Sequence, residues 1–158
     1  MNGTVRAMVS GYVATKVMTA AMYDLLPGIG LARVDVAGAL NRPGEESEGG
    51  RNEKLDEHQS REKKQPGLFI HYLLGTLIFP LSYQLLFRSV IPGNRLSKGL
   101  IWGLCLWAVG QSVVFPMLGK EPLFKRKKSA GLNYLLSHVV YGTAFGLGAG
   151  GRGTRSHR

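Results

Sequence analysis

The amino-acid sequence predicts an all-α fold, an integral membrane four-helix bundle with a long amphipathic and charged connection between helices one and two. Three segments contain no charged residue over the roughly 20 residues that a bilayer core requires: 67–87, 99–118 and 131–151. Eight of the ten acidic residues and seven of the twenty Lys and Arg residues lie instead in residues 27–66. A soluble amphipathic helix would carry charge on its outward face. The charge-free segments therefore favour transmembrane helices.

The first helix is less uniform than the other three. Residues 8–26 are uncharged except for Lys16 and Asp24. A basic residue before an apolar stretch is typical of a secretory signal, but Lys16 interrupts the apolar region and no convincing A-x-A cleavage site follows it. We therefore predict a retained helix and a single membrane domain, residues 1–158. Its helices are predicted to cover about residues 8–26, 67–87, 99–118 and 131–150.

The connection between helices one and two, residues 27–66, has two different halves. The first half spaces its apolar residues as an amphipathic helix does, which predicts a short helix at the membrane interface, with Leu31, Val34 and Leu40 opposite Arg33 and Asp35. The second half is rich in Glu, Gly and Lys and is predicted to be mobile. The basic tail, residues 151–158, is predicted to be disordered.

The distribution of Lys and Arg predicts the orientation in the membrane. The two longer connections hold twelve of these residues, against seven in the N-terminus, the 88–98 loop and the tail together. Basic loops stay in the cytoplasm, so both termini are predicted to lie outside. A basic cluster beside helix four is expected to contact lipid headgroups: Lys125, Arg126, Lys127 and Lys128. The formal charge of +10 thus indicates lipid contact, because no soluble basic domain is present to bind nucleic acid.

Small residues recur at every fourth position in the predicted helices. Helix one has Gly11, Thr15 and Thr19, helix three has Gly99 and Gly103, and helix four continues from His138 through Gly142, Gly146 and Gly150. Small residues at this spacing lie on one helix face and let neighbouring helices approach closely in lipid. We predict that these faces pack against other helices, in this chain or in a partner.

Lys16 is a charged residue in the middle of a predicted transmembrane helix. A lysine there costs about 2.5–3.5 kcal/mol on insertion scales, so it is expected to face protein, water or the membrane interface. Asp24 lies on roughly the same face, but about 12 Å further along the axis, which is too far for direct pairing. Lys16 therefore marks either a contact with a partner or a polar path, or it reaches the interface from a tilted helix.

Two histidines occur in apolar segments, each followed four residues later by glycine: His71 with Gly75, and His138 with Gly142. Two such histidines on parallel helices are typical of haem b ligands. They are, however, the fifth and eighth residues of their predicted helices, which gives an offset of about 4.5 Å in depth. We therefore interpret both as hydrogen-bonded packing residues and expect no cofactor.

The order of these features resembles a family of small four-helix bacterial membrane proteins without established function. The resemblance is carried by GYVATKVMTAAM, VDVAGAL, GLFIHYLLG, VVFPMLG and SHVVYGTAFG, and it covers nearly the whole chain. It implies a multi-pass protein of the bacterial inner membrane. The matching positions are Gly11, Thr15, Met18, Asp35, His71, Gly75, Pro116, His138 and Gly142. Lys16 stands where the resemblance implies an apolar residue.

Catalysis is not indicated by the sequence. It contains no P-loop, G-x-S-x-G or H-E-x-x-H motif, and its single cysteine, Cys105, excludes a Cys-based metal cage. Asp56, Glu57 and His58 are interpreted as solvated loop residues, so no metal site is expected. Three functions remain: an accessory or assembly subunit of a larger, respiratory membrane complex; a haem b protein; or a transporter component lined by Lys16, Asp24, Gln84 and Gln111. The short chain favours the first, because it requires no cavity.

Overall fold

The computed structural model describes residues 2–34, 36 and 68–149, and over these residues the chain is all-helical, as the sequence predicts. Helix α1 consists of Gly3–Ala20, a π-helical turn at Ala21–Leu25 and a last turn at Leu26–Gly28. Helix α2 spans Leu68–Phe87 and α3 spans Arg95–Met117. A short α4 covers Leu123–Arg126, and α5 covers Lys128–Ala149.

Capping residues, and not the ends of the charge-free segments, set where the helices begin. The side chain of Asn2 accepts a hydrogen bond from the Thr4 N–H at 3.2 Å, so α1 begins at Gly3 and not near residue 8. The side chain of Asn94 accepts from the Ser97 N–H at 2.9 Å and starts α3 four residues before the predicted position. Helix α4, which the sequence analysis does not include, begins directly after Pro122.

Three of the four long helices contain a π-helical turn directly before a proline. In α2 the N–H of Phe79 bonds to the Leu74 carbonyl, five residues back, and Pro80 has no N–H. The carbonyl of Gly75 therefore has no partner within its own helix. In α1 the N–H of Leu26 bonds to Ala21 ahead of Pro27, and in α3 the N–H of Phe115 bonds to Gly110 ahead of Pro116. Each proline thus releases one backbone carbonyl from the helix.

Helix α5 supplies the partners for two of these carbonyls. The hydroxyl of Tyr141 donates to the Gly75 carbonyl of α2 at 3.0 Å. The side-chain amide of Asn133 donates to the Met22 carbonyl of α1 at 3.1 Å and to the Ala32 carbonyl at 2.9 Å. Buried backbone groups without a partner are costly, above all away from water. The two side chains of α5 therefore complete the hydrogen bonding of α1 and α2.

A glycine seam joins α3 and α5. A Cβ on Gly99 or Gly142 would overlap a backbone carbonyl oxygen of the other helix, and Gly103 and Gly146 have equally close backbone neighbours. The helices α1 and α2 meet in a similar way, because a Cβ on Gly11 would overlap Pro80. Close backbone contact of this kind replaces large side chains as the means of packing.

Aromatic residues fill the end of the molecule where the 88–94 loop lies. The ring of Tyr83 contacts the rings of Trp102 and Phe145 at centroid distances of 5.8 and 5.0 Å, and Phe87 contacts Trp102 at 4.8 Å. These contacts connect α2, α3 and α5. A second buried cluster at the other end contains Met22, Phe115 and Tyr134.

The structure corrects the prediction of an interfacial helix at residues 31–34. These residues lie outside any helix, and Val36 is helical. Val34 is buried against the Met22 cluster, because the Ala32 carbonyl is held by Asn133 and draws the chain onto the bundle. Asp35, Leu40, the charged half of the connection with Asp56, Glu57 and His58, and the tail lie outside the described residues.

Helices α2 and α3 are long and apolar enough to cross a membrane. Among the described residues, only 17% of the tested window of α2 and 33% of that of α3 are buried. The other two long helices, α1 and α5, are not among the described spans with this property. Polar residues lower the hydropathy of α1, and α5 is rich in glycine and hydroxyl residues that face the other helices.

Candidate functional site

The contacts between helices define a register that aligns particular residues of α1, α2 and α5. Thr19 contacts His71 at 3.5 Å, and Thr15 packs on Gly75, so α1 and α2 run antiparallel. Met22 is bonded to Asn133. Since the Tyr141 hydroxyl reaches the Gly75 carbonyl, α2 and α5 lie side by side near these residues. Met18, His71 and His138 all line one cavity in this part of the bundle.

His71 and His138 line the same partly open cavity of about 70 Å³. The offset of about 4.5 Å in depth, expected from their positions within the helices, stays a prediction.

The hydrogen bond of His138 determines which of its ring nitrogens carries the proton. The Nδ1–H of His138 donates to the Tyr134 carbonyl at 2.9 Å, which leaves a lone pair on Nε2 in the neutral ring. The Thr19 hydroxyl donates to the Thr15 carbonyl at 2.7 Å, and its oxygen lies 3.5 Å from Nε2 of His71.

The rest of the cavity wall is mostly apolar. It is formed by side chains of α2 and α3, among them Leu74, Phe79, Leu106, Val109 and Val114. Polar atoms come from Thr15 and the two tyrosines, and the Thr15 hydroxyl is already bonded to the Gly11 carbonyl at 2.8 Å. Sites for small organic ligands usually enclose about 300–1,000 Å³. The cavity is therefore too small for a macrocycle as it stands, but it has room for an ion or a few waters.

Lys16 lies on the outer surface of α1, between two aromatic rings. Its Nζ is 5.8 Å from the ring centroid of Tyr12 and 5.6 Å from that of Tyr72. Cation–π contacts of this kind stabilise a lysine by about 0.5–1 kcal/mol at an exposed site, less than the cost of placing it in hydrocarbon. The ammonium group therefore still favours a further polar or charged partner.

The same face of α1 continues through exposed residues at every fourth position, namely Tyr12, Lys16, Ala20 and Asp24. We call these four residues the α1 outer stripe. Beside it lies a surface groove formed by Val17, Ala21, Leu25 and Val140, together with Ala20 and Asp24 of the stripe. Small and apolar side chains here leave space for another helix, and the stripe carries one charge of each sign.

The four polar residues proposed for a transport path do not share a cavity. Lys16 and Asp24 lie on the outside of α1, and Gln111 is buried at the far side of α3, where its side-chain oxygen accepts from the Leu123 N–H at 2.8 Å. Gln84 lies near Gly3 at the end of α1. None of them lines the cavity between the two histidines.

The small residues predicted to form packing faces have neighbours within this chain. Gly11, Thr15 and Thr19 face α2, whereas Gly142 and Gly146 face α3; Gly150 lies outside the described residues. In the basic cluster Lys125, Lys127 and Lys128 are exposed, and the side chain of Arg126 lies outside the described part of the chain. Sequence reasoning missed Asn133 and Tyr141. The pattern that could have identified them is a polar side chain in one apolar helix together with prolines in the neighbouring helices.

Comparison with known proteins gives one result. A family model described as a family of unknown function, DUF6789, matches residues 1–156. No curated protein and no solved structure matches the chain. Because the match extends over almost all of the sequence, the chain belongs to this family of unknown function.

Proposed function

We propose that this protein is a multi-pass protein of the bacterial plasma membrane that acts as an accessory or assembly subunit of a larger membrane complex. The observation that carries the proposal is the apolar outer surface. Exposed large apolar side chains occur on every long helix, for example Val9 on α1, Leu85 on α2, Val109 on α3 and Leu147 on α5. Large apolar side chains exposed on all four of these helices are what a lipid-facing surface requires.

The interior supports the same proposal. Polar side chains that would be costly in hydrocarbon face inward and are bonded there, as Asn133, Ser137 and Tyr141 show. The glycine seam brings α3 and α5 together without leaving a channel between them. A chain with a cavity of only about 70 Å³ is better suited to binding a partner than to moving a solute.

The α1 outer stripe is the surface we assign to the partner. Lys16 is exposed in the middle of α1 and lies close to two tyrosine rings, which hold it at the surface of the helix. A carboxylate on a partner helix would neutralise it, and a basic group opposite Asp24 would complete the arrangement. Opposite charges spaced along one helix face determine both the register and the identity of a partner.

The basic connections are proposed to lie in the cytoplasm. Lys125, Lys127 and Lys128 are exposed beside the start of α5, at the end of the bundle where Asp24 and Arg33 also lie. Exposed lysines at this position gain about 1 kcal/mol each from anionic headgroups. Both termini and the 88–94 loop are then outside the cytoplasm.

The test is the substitution Lys16→Met in affinity-tagged protein expressed in its native membrane. If the stripe binds a partner, the variant is inserted normally but recovers at least several-fold less of the co-purifying subunits after mild solubilisation. Respiratory subunits are expected among these co-purifying proteins. Lys127→Met is the control for the loss of one exposed charge, because this lysine is assigned to lipid headgroups and lies outside the stripe.

A second variant, Ala20→Leu, fills the same face without changing its charge and is expected to reduce co-purification as well. If both stripe variants recover the same subunits in the same amounts as Lys127→Met, the assigned surface is wrong. If no subunit co-purifies with the unaltered protein under conditions that preserve known membrane complexes, the accessory role is wrong.

A further inference from the structure

The cavity between α1, α2, α3 and α5 combines three side chains that can coordinate a soft metal ion. Met18, His71 and His138 all line it, and Thr19, the residue after Met18, contacts His71 at 3.5 Å. Met18 is buried, with 5% of its surface exposed. A thioether and two imidazoles thus meet in a space of about 70 Å³.

Each imidazole has a polar contact at one of its ring nitrogens. His138 donates from Nδ1 to the Tyr134 carbonyl at 2.9 Å, and Nε2 of His71 contacts the Thr19 hydroxyl at 3.5 Å. Histidines that bind metals almost always donate their other N–H to a carbonyl or a similar acceptor. His138 is therefore held as a metal-binding histidine is, with a lone pair on Nε2.

The charge of the cavity selects among ions. Among the described residues that line it there is no carboxylate and no thiolate, so all three candidate ligands are neutral. With neutral ligands, a divalent ion would keep a charge of +2 in apolar surroundings, whereas a monovalent ion would keep a charge of only +1. Thioether and imidazole ligands together favour Cu(I) among the common metals.

We propose that Met18, His71 and His138 form a binding site for a cuprous ion. The site is distinct from the α1 outer stripe, which lies on the opposite side of the same helix, so the two assignments can fail separately. The interhelical bonds of Tyr141 and Asn133 lie on either side of His138 in α5 and would hold the three ligands in place when the ion is absent.

The test is an anaerobic titration of the purified full-length protein with Cu(I) in competition with a coloured cuprous chelator. A Cys105→Ser background removes the exposed thiol, which could bind copper by itself. The expected result is about one tightly bound Cu(I) per chain. X-ray absorption at the copper edge is expected to show nitrogen and sulfur ligands in the same sample.

Met18→Leu is the decisive variant, because this swap of similar volume usually costs less than about 1.5 kcal/mol of stability. It is expected to weaken Cu(I) binding by about tenfold or more and to remove the sulfur ligand from the spectrum. Met22→Leu is the matched control: Met22 is fully buried one turn further along α1 but does not line the cavity. His71→Gln and His138→Gln are expected to weaken binding similarly.

Three results would overturn the proposal. The first is the absence of Cu(I) binding beyond that of the chelator. The second is equal affinity in the Met18→Leu and Met22→Leu variants. The third is a preference for Zn(II), or a Soret band from bound haem that disappears in His71→Gln, since either would assign the two histidines to a different ligand.

Discussion

At the residue scale, the structure depends on a small number of hydrogen bonds between polar groups of different helices. The Gly75 carbonyl has no helical partner because Pro80 lacks an N–H, and the Tyr141 hydroxyl replaces that partner. Asn133 does the same for Met22. These bonds, and not large apolar contacts alone, determine the relative depth of α1, α2 and α5.

The substitution Tyr141→Phe removes the donor and leaves the buried Gly75 carbonyl unpaired. We expect a loss of about 0.6–2 kcal/mol in the free energy of unfolding. Denaturation of the protein in mixed micelles measures this loss. Tyr12→Phe is the control, because Tyr12 is exposed and keeps its ring beside Lys16; equal stability of the two variants would contradict the role given to Tyr141.

The sequence predicts some of these residues better than others. Lys16 and the two histidines stand out because titratable groups are rare in apolar helices. Asn133 and Tyr141 do not, since their role depends on carbonyls released by prolines in other helices. Sequence alone does not show which helices become neighbours, so a donor on one helix cannot be matched to an acceptor on another.

At the element scale, the contact between α3 and α5 is a seam of glycines. The four-residue spacing of Gly142 and Gly146 predicts that these residues form a packing face, but it does not show which helix this face contacts. The structure shows that the face meets Gly99 and Gly103 of α3 in the same chain. Helix ends were predicted less well, because the caps Asn2 and Asn94 lie among polar residues outside the charge-free segments.

The seam predicts different effects for two glycine substitutions. A Cβ at Gly142 would overlap the Gly99 carbonyl, and neither backbone can move easily, so Gly142→Ala is expected to cost about 1–3 kcal/mol. Gly28→Ala is the control: a Cβ there meets no atom within 4 Å. Thermal unfolding in detergent compares the two. A Gly142→Ala protein as stable as Gly28→Ala would contradict the close contact.

The link between Pro80 and Tyr141 is tested by a double-mutant cycle. In Pro80→Ala the helix regains an N–H at residue 80, which can bond to the carbonyl that Tyr141 otherwise serves. Tyr141→Phe is therefore expected to lower the free energy of unfolding by less in this background than in the unaltered protein. The expected coupling energy is about 0.5 kcal/mol or more. Denaturation midpoints and slopes give the free energies of unfolding. Additive changes in these free energies would show that Pro80 and Tyr141 act independently.

At the scale of the whole molecule, the balance of polar inside and apolar outside could be predicted from the sequence. The three charge-free segments indicate helices without a polar face, and the structure gives α2 and α3 largely exposed apolar surfaces. The small cavity could not be predicted, because it forms where four helices approach the same level. The placement of residues 31–34 against the bundle also follows from a distant hydrogen bond, that of Asn133.

The most direct test of the central claim, that the outer surface faces lipid, uses the native cysteine. Cys105 is the only cysteine in the chain and is exposed on α3, between Leu104 and Leu106. An exposed thiol on a soluble protein reacts readily with a hydrophilic maleimide, whereas the same thiol surrounded by hydrocarbon is inaccessible to it. We therefore measure labelling of the native protein in permeabilised membranes and again after denaturation in SDS. The account predicts almost no labelling before denaturation and full labelling afterwards; full labelling of the native protein would contradict it.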